Sequence, residues 1–217
     1  MIQHIVWDWN GTLLDDLHAT VDAVNFSLHS AGFAGITVER YCLQYGRPLE
    51  VFYGRLVGRR LTSAEWRKLD RSFSQRYLNS IVPCSLADDA FDALEWWSPR
   101  SQSLLSMSDH DNLVDVTNEY NVNKYFMRVD GRRGVSGASK FEYLARHVKL
   151  LRQECPILTP ETICVIGDSV DDATAAVQIG ATAILYAGGY THRAALDRVG
   201  VPVAETLTDA VRMLAAT

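Results

Sequence analysis

Polar side chains that could do chemistry are concentrated in four short stretches of the sequence. The stretches are Asp8-Trp9-Asn10-Gly11-Thr12, Ser106, Lys140 and Gly167-Asp168-Ser169-Val170-Asp171-Asp172. Brought together, they would form a cluster of carboxylates with a hydroxyl and an ammonium group. Converging carboxylates repel each other unless a cation lies between them, and Mg²⁺ is the natural candidate because it prefers oxygen ligands. A lysine and a hydroxyl beside Mg²⁺ can bind phosphoryl oxygens and a carboxylate can be the nucleophile, so the pattern favours phosphoryl transfer.

Hydrophobic periodicity places each stretch at the end of a predicted strand or the start of a predicted helix. Strands are predicted near 3–7, 102–105, 126–129, 162–166 and 181–186, and helices near 17–31, 87–97, 112–120, 140–151 and 172–179 and at the C-terminus. This alternation predicts an α/β fold with a doubly wound parallel sheet. In such sheets the ligand site lies beyond the carboxyl ends of the strands. Residues 37–81 have a helical pattern throughout, which predicts a helical unit inserted after the first strand.

The composition excludes several classes of protein. The 217 residues carry 26 acidic and 21 basic side chains, a net charge of −5, which argues against binding in a nucleic-acid groove. No apolar run of about 18 residues could cross a membrane, and we see no secretory signal, so we expect a cytoplasmic protein. The four cysteines lack metal-binding spacing and are predicted to be reduced. The expected partner is a small phosphorylated metabolite.

The four stretches resemble the four motifs of the haloacid dehalogenase superfamily. The residues from Asp8 to Leu13 resemble the motif DxDGTL, and Gly167 to Asp172 match GDxxxD. Ser106, directly after an apolar strand, resembles the second motif, and Lys140 resembles the third. The motifs occur in the right order, and the resemblance covers nearly the whole chain. It implies a phosphoglycolate-phosphatase-like hydrolase with an α/β core at 1–15 and 83–217 and a helical C1-type cap at 16–82.

The resemblance also implies a role for each motif residue. Asp8 would be the nucleophile, and the reaction would be Mg²⁺-dependent hydrolysis of a small phosphomonoester through an aspartyl-phosphate. The implied metal ligands are Asp8, Asp168 and the backbone carbonyl of Asn10. Asp172 would either bind the metal or orient the other groups. The implied phosphate-binding residues are Thr12, Ser106 and Lys140. Asp171 falls on a variable position of its motif.

Asn10 departs from the first motif. The family has an acid here that protonates the leaving group and later activates water, and its loss would remove a factor of about 10² to 10⁴ in rate. The protein could be a phosphatase that prefers good leaving groups such as acyl phosphates, or it could use another acid, such as a cap residue or His110. It could also bind a phosphorylated ligand without turnover, or carry out other superfamily chemistry.

Arg47, in Tyr45-Gly46-Arg47-Pro48 of the predicted cap, is the candidate substrate-binding residue. Its planar guanidinium can bind a second anionic group of the substrate with two hydrogen bonds. Two motif residues also have simpler interpretations. Ser106 could be the N-cap of a helix, and Lys140 could be a solvated helix residue.

Overall fold

A six-stranded parallel sheet forms the centre of the fold. The structure, a computed structural model, describes residues 1–80, 84–133 and 139–215. In chain order the strands are β1 (His4–Trp7), β2 (Leu14–Asp15), β3 (Ser85–Leu86), β4 (Ser101–Asp109), β5 (Val129–Arg132), β6 (Ile163–Gly167), β7 (Thr182–Tyr186) and β8 (Val203–Ala204). The large sheet has the order β5-β4-β1-β6-β7-β8, and each neighbouring pair is parallel. The predicted parallel α/β sheet is confirmed.

Helices cover both faces of this sheet. They are α1 (Leu17–Ser30), α2 (Val38–Gln44), α3 (Leu49–Val57), α4 (Ser63–Ser80), α5 (Ala90–Trp97), α6 (His110–Glu119), α7 (Lys140–Glu154), α8 (Val170–Gln178), α9 (Arg193–Leu196) and α10 (Leu207–Ala215). Side chains alternate along β1, so Ile5 and Trp7 pack with α5, α6 and α10, whereas Val6 packs with α7 and α8. The doubly wound arrangement is therefore confirmed. In the described part of the chain, no helix is long and apolar enough to cross a membrane.

One strand lies later than its predicted position. Val129–Arg132 forms β5, whereas the sequence pattern favoured 126–129. This edge strand has the polar sequence VDGR, and its position follows from its pairing with β4, where Leu104 is opposite Val129. The glycines of residues 131–137 predict a turn there, which is wrong at Gly131 because this residue is part of β5; residues 134–137 lie outside the described ones.

The inserted helical unit consists of α1 to α4. Its core contains Val24 from α1, Phe52 from α3 and Leu69 from α4, and the hydroxyl of Ser27 donates to the carbonyl oxygen of Leu69 at 2.7 Å. The short antiparallel pair β2 and β3 lies where the chain enters and leaves this unit. The predicted boundaries of the two domains remain a prediction, and the second of them falls in 81–83, outside the described residues.

A buried polar network joins β1, β4 and α7. Nε2 of His4 lies 2.7 Å from Oγ of Ser103, and the same hydroxyl lies 2.8 Å from Nε2 of His147. Nδ1 of His147 is 2.7 Å from a carboxylate oxygen of Asp130. Burial lowers the pKa of His4 to about 3 and also lowers the pKa of His147. Both imidazoles are therefore neutral in the folded protein at neutral pH.

We expect the free energy of unfolding to fall as the pH drops below about 6.5. Below that pH the unfolded chain binds protons at His4 and His147 that the folded protein does not bind, and one such group contributes a slope of up to about 1.4 kcal/mol per pH unit. Urea denaturation between pH 7.5 and pH 5 measures this slope. His4→Gln should reduce it and His18→Gln, at an exposed position, should not; equal slopes for the two variants would contradict the explanation.

Candidate active site

Three carboxylates meet at the carboxyl ends of β1 and β6. Asp8 directly follows β1, Asp168 directly follows β6, and Asp172 lies in the first turn of α8. One oxygen from each of them lies within 4.8 Å of the others, and all three side chains are buried. The two strands are parallel neighbours, so their carboxyl ends reach the same edge of the sheet.

Backbone and hydroxyl groups hold two of these carboxylates in place. Ser169 caps α8, and its amide nitrogen and hydroxyl donate to Oδ2 of Asp172 at 3.0 and 2.6 Å. The amide nitrogen of Tyr190 donates to Oδ2 of Asp168 at 2.6 Å. Gly11 has a φ of +73°, and a Cβ there would lie 2.6 Å from the same carboxylate oxygen. The turn after β1 therefore requires glycine both for its backbone angle and for the close approach of Asp168.

Lys140 is the counter-charge of this acid cluster. Its side chain is 6% exposed, its Nζ lies 2.6 Å from Oδ1 of Asp8, and it also forms an ion pair with Oδ1 of Asp172. Burial alone would lower the pKa of Lys140, but the two carboxylates raise it above its ordinary value. The lysine is therefore a charged, buried residue, and the interpretation of it as a solvated helix residue is wrong.

The charges of the cluster are not balanced by the lysine alone. Burial raises the pKa of Asp8 to about 6, against the opposing effect of Lys140. Burial, together with the charges of Asp8 and Asp172, raises the pKa of Asp168 well above its ordinary value. Three buried carboxylates with one ammonium group form a donor set that fits a hard divalent cation such as Mg²⁺.

Asn10 uses its full hydrogen-bonding capacity. Its Nδ2 donates to Oδ2 of Asp16 at 2.9 Å and to the phenolic oxygen of Tyr77 at 2.7 Å. Its Oδ1 accepts from the hydroxyls of Ser106 at 3.1 Å and Ser108 at 2.6 Å. A primary amide has two donor hydrogens and two acceptor lone pairs, so no hydrogen-bonding position remains. The amide is thus an integral part of the site.

Asp16 and Tyr77 were not predicted from the sequence. Asp16 is fully buried and accepts from the amide nitrogen of Gly11 at 2.9 Å and from the hydroxyl of Tyr77. Burial raises the pKa of Asp16, and burial together with the Asp16 charge raises the pKa of Tyr77 well above its ordinary value. Asp16 follows the first motif closely in the sequence, so it could have been predicted as a site residue from its position near the missing acid. Tyr77 lies on α4, and no feature of the sequence indicated that it belongs to the site.

Three other predicted residues have defined positions. Ser106 lies within β4, and the N-cap of α6 is Asp109, so the N-cap interpretation of Ser106 is wrong. Thr12 is fully buried, and its hydroxyl donates to Oδ1 of Asp168 at 3.2 Å. Nε of Arg47 lies 3.7 Å from Oδ2 of Asp171.

The acid cluster lies at one end of a cavity of about 430 Å³ between the sheet and the helical unit. Asp8, Asn10, Ser106, Lys140 and Asp168 line that end, and Arg47 also lines the cavity. His110 is not among the described residues that line it, and Nδ1 of His110 accepts from the amide nitrogen of Gly131 at 3.1 Å. The structure therefore brings most of the predicted residues to one cavity and leaves His110 outside it.

Comparison with known proteins identifies the family. Residues 2–180 match the sequence model of the haloacid dehalogenase-like hydrolase family. The chain belongs to the haloacid dehalogenase-like hydrolases. No curated protein sequence matches this hydrolase.

Several solved structures are similar to this haloacid dehalogenase-like hydrolase. A predicted phosphatase from Clostridium acetobutylicum has a TM-score of 0.85 at 13% identity, with 100% of each chain covered. A haloacid dehalogenase-like family hydrolase from Streptococcus pneumoniae has a TM-score of 0.82 at 17% identity, with 98% of each chain covered. A predicted phosphoglycolate phosphatase from Haemophilus somnus has a TM-score of 0.77 at 16% identity, again with 98% of each chain covered. At these identities the likeness shows a shared fold.

Proposed function

We propose that this hydrolase is a Mg²⁺-dependent phosphatase that cleaves a small phosphomonoester through an aspartyl-phosphate on Asp8. The observation that carries the proposal is the position of Asp8 at the end of the cavity, 2.6 Å from Nζ of the buried Lys140 and clustered with Asp168 and Asp172. Two of the similar structures are named as a predicted phosphatase and a predicted phosphoglycolate phosphatase, which supports this activity.

The metal would be held by Asp8, Asp168 and the backbone carbonyl of Asn10, with Asp172 as a ligand or an orienting group. When bound, Mg²⁺ offsets the charge of the carboxylates and of the phosphoryl group, so that an acidic protein can receive an anionic substrate. This use of the carboxylates explains why their burial is tolerated.

The residues of the chain supply the other steps. Lys140 lowers the pKa of Asp8 and so favours the ionised, nucleophilic carboxylate. Lys140 and Ser106 would bind the oxygens of the phosphoryl group. A carboxylate oxygen of Asp8 attacks the phosphorus, the bond to the leaving-group oxygen breaks, and that oxygen takes a proton from solvent. Water then attacks the phosphorus of the acyl phosphate, which releases phosphate and restores the carboxylate.

The proposal is tested by measuring phosphate release from phosphorylated metabolites and acetyl phosphate, with Mg²⁺ and with a chelator. We expect release that requires Mg²⁺, and a higher melting temperature in Mg²⁺ because the ion binds only the folded protein. Mg²⁺ and a phosphate mimic that raise the melting temperature without any phosphate release would favour a protein that binds its ligand without turnover. The fully hydrogen-bonded amide of Asn10 is the observation that makes this second outcome worth testing.

The network around Asn10 leads to a prediction about restoring the missing acid. Asn10→Asp alone would bring a second carboxylate against Asp16 and remove the Nδ2 donor, which should cost about 1–3 kcal/mol in free energy of unfolding. The reciprocal variant Asn10→Asp/Asp16→Asn preserves a donor and an acceptor at this contact. It should therefore be more stable than Asn10→Asp and should hydrolyse alkyl phosphates about 10² to 10⁴ times faster than the parent protein.

Urea denaturation and turnover of glycerol phosphate measure the two effects. Asp16→Asn alone is the control, since it changes the same contact without introducing an acid at position 10. A reciprocal variant that hydrolyses glycerol phosphate no faster than the parent would contradict the explanation.

A further inference from the structure

Aromatic side chains of the helical unit line much of the cavity. The helical unit contributes seven aromatic side chains to its wall, and six of them are Tyr45, Phe52, Tyr53, Trp66, Phe73 and Tyr77. They pack in pairs, with ring centroids 5.8 Å apart for Tyr45 and Phe52, 5.5 Å for Tyr53 and Trp66, and 5.5 Å for Phe73 and Tyr77. Phe52 and Tyr53 are buried and support their partners, whereas Tyr45, Trp66, Phe73 and Tyr77 are partly exposed and form a preformed surface for an apolar or aromatic group.

Two arginines that line the cavity, Arg47 and Arg132, interact with carboxylates. Arg47 lies 3.7 Å from a carboxylate oxygen of Asp171, and Arg132 interacts electrostatically with Asp70. An anionic group on the leaving side of the substrate would compete with these carboxylates for the guanidinium groups. A neutral group would leave both electrostatic interactions undisturbed, so the cavity is suited to a neutral leaving group.

The amide at Asn10 restricts the chemistry of the leaving group. Both Nδ2 hydrogens are used by Asp16 and Tyr77, and an amide does not release a proton at neutral pH. The hydroxyl of Tyr77 donates to Asp16 and is held there. A leaving-group oxygen at this end of the cavity therefore has to depart without a proton from these side chains.

We propose that the preferred substrate is a phosphomonoester of an aromatic hydroxyl compound, with its ring against the aromatic wall. The inference rests on the proposed function and names its substrate class. A phenolic hydroxyl, with a pKa of about 10, is a far stronger acid than water at about 15.7, so it leaves as the phenolate with little need for protonation. Asp8 attacks the phosphorus, the bond to the phenolic oxygen breaks, the phenolate takes a proton from solvent, and water then releases phosphate from Asp8.

Four substrates distinguish the contribution of ring binding from the contribution of a good leaving group. Phenyl phosphate has both properties, benzyl phosphate has only the ring, acetyl phosphate has only the good leaving group, and glycerol phosphate has neither. With Mg²⁺ present, we expect kcat/KM for phenyl phosphate to exceed that for glycerol phosphate by 100-fold or more, with benzyl phosphate and acetyl phosphate in between. A single missing apolar contact changes kcat/KM by about 10- to 200-fold, which sets this scale.

Variants of the wall identify the surface that recognises the ring. Phe73→Ala should lower kcat/KM for phenyl phosphate about tenfold or more and should lower kcat/KM for acetyl phosphate by a clearly smaller factor. Phe73→Leu keeps most of the apolar surface, so its kcat/KM for phenyl phosphate should lie between those of the parent and of Phe73→Ala. The matched control is Phe91→Ala, which removes a 45% exposed ring on α5 away from the cavity. Acetyl phosphate turnover also reports whether each variant is folded.

Each outcome has one meaning. A preference for phenyl phosphate that Phe73→Ala reduces supports the inference. Phosphate release that favours glycerol phosphate, or a Phe73→Ala variant that loses all four activities equally while remaining folded by thermal melting, overturns the inference but leaves the proposed phosphatase intact. No release from any of the four substrates with Mg²⁺ overturns the proposed function and the inference with it.

Discussion

Asp8→Asn is expected to lower kcat/KM by about 10⁴-fold or more while leaving the melting temperature equal to or higher than that of the parent. The amide has the shape of the carboxylate but cannot attack phosphorus to form an acyl phosphate. The stability should not fall, because burial raises the pKa of Asp8 to about 6. The ionised carboxylate of Asp8 therefore lowers the free energy of unfolding of the folded protein at neutral pH. Removal of the charge also relieves repulsion from Asp172 and Asp168.

Phosphate release and thermal melting in a chelator measure the two effects. The melting shift caused by Mg²⁺ should shrink in Asp8→Asn, since one proposed ligand is lost. Asp92→Asn, at an exposed position on α5, is the matched control and should retain full activity. An Asp8→Asn variant with turnover within tenfold of the parent would show that Asp8 is not the nucleophile.

Lys140→Met is expected to lower the free energy of unfolding by about 3–5 kcal/mol in a chelator and to abolish phosphate release. Methionine fills a similar volume but leaves Asp8 and Asp172 buried without their ammonium partner. The loss should be smaller when Asp172→Asn is combined with Lys140→Met, because one uncompensated charge has then been removed. Mg²⁺ should restore part of the stability of Lys140→Met and none of its activity.

Urea denaturation with and without Mg²⁺ measures these differences. Lys149→Met, at an exposed position on the same helix, removes a lysine that is not part of the cluster. A Lys140→Met variant that unfolds at the same urea concentration as Lys149→Met would contradict the role of Lys140 as the buried counter-charge.

The central strands were predictable because burial on both faces requires apolar residues. The sequences HIVW of β1 and ICVIG of β6 show this directly. By contrast, β5 was predicted three residues too early, because an edge strand with the sequence VDGR does not need an apolar run. The pairing of Leu104 with Val129 defines that strand, and such a pairing between distant residues leaves no local signal.

The amino-acid sequence by itself determined the fold class and the convergence of Asp8, Asp168 and Asp172, because parallel strands deliver the residues after their carboxyl ends to one edge of the sheet. Only the tertiary structure decided the surroundings of Asn10. Tyr77 reaches Asp16 and Asn10 from α4, across 61 and 67 positions of the chain, because the helical unit packs over the end of the sheet. Such hydrogen bonds depend on how the helical unit packs against the sheet, and the spacing of residues along the chain does not predict that packing.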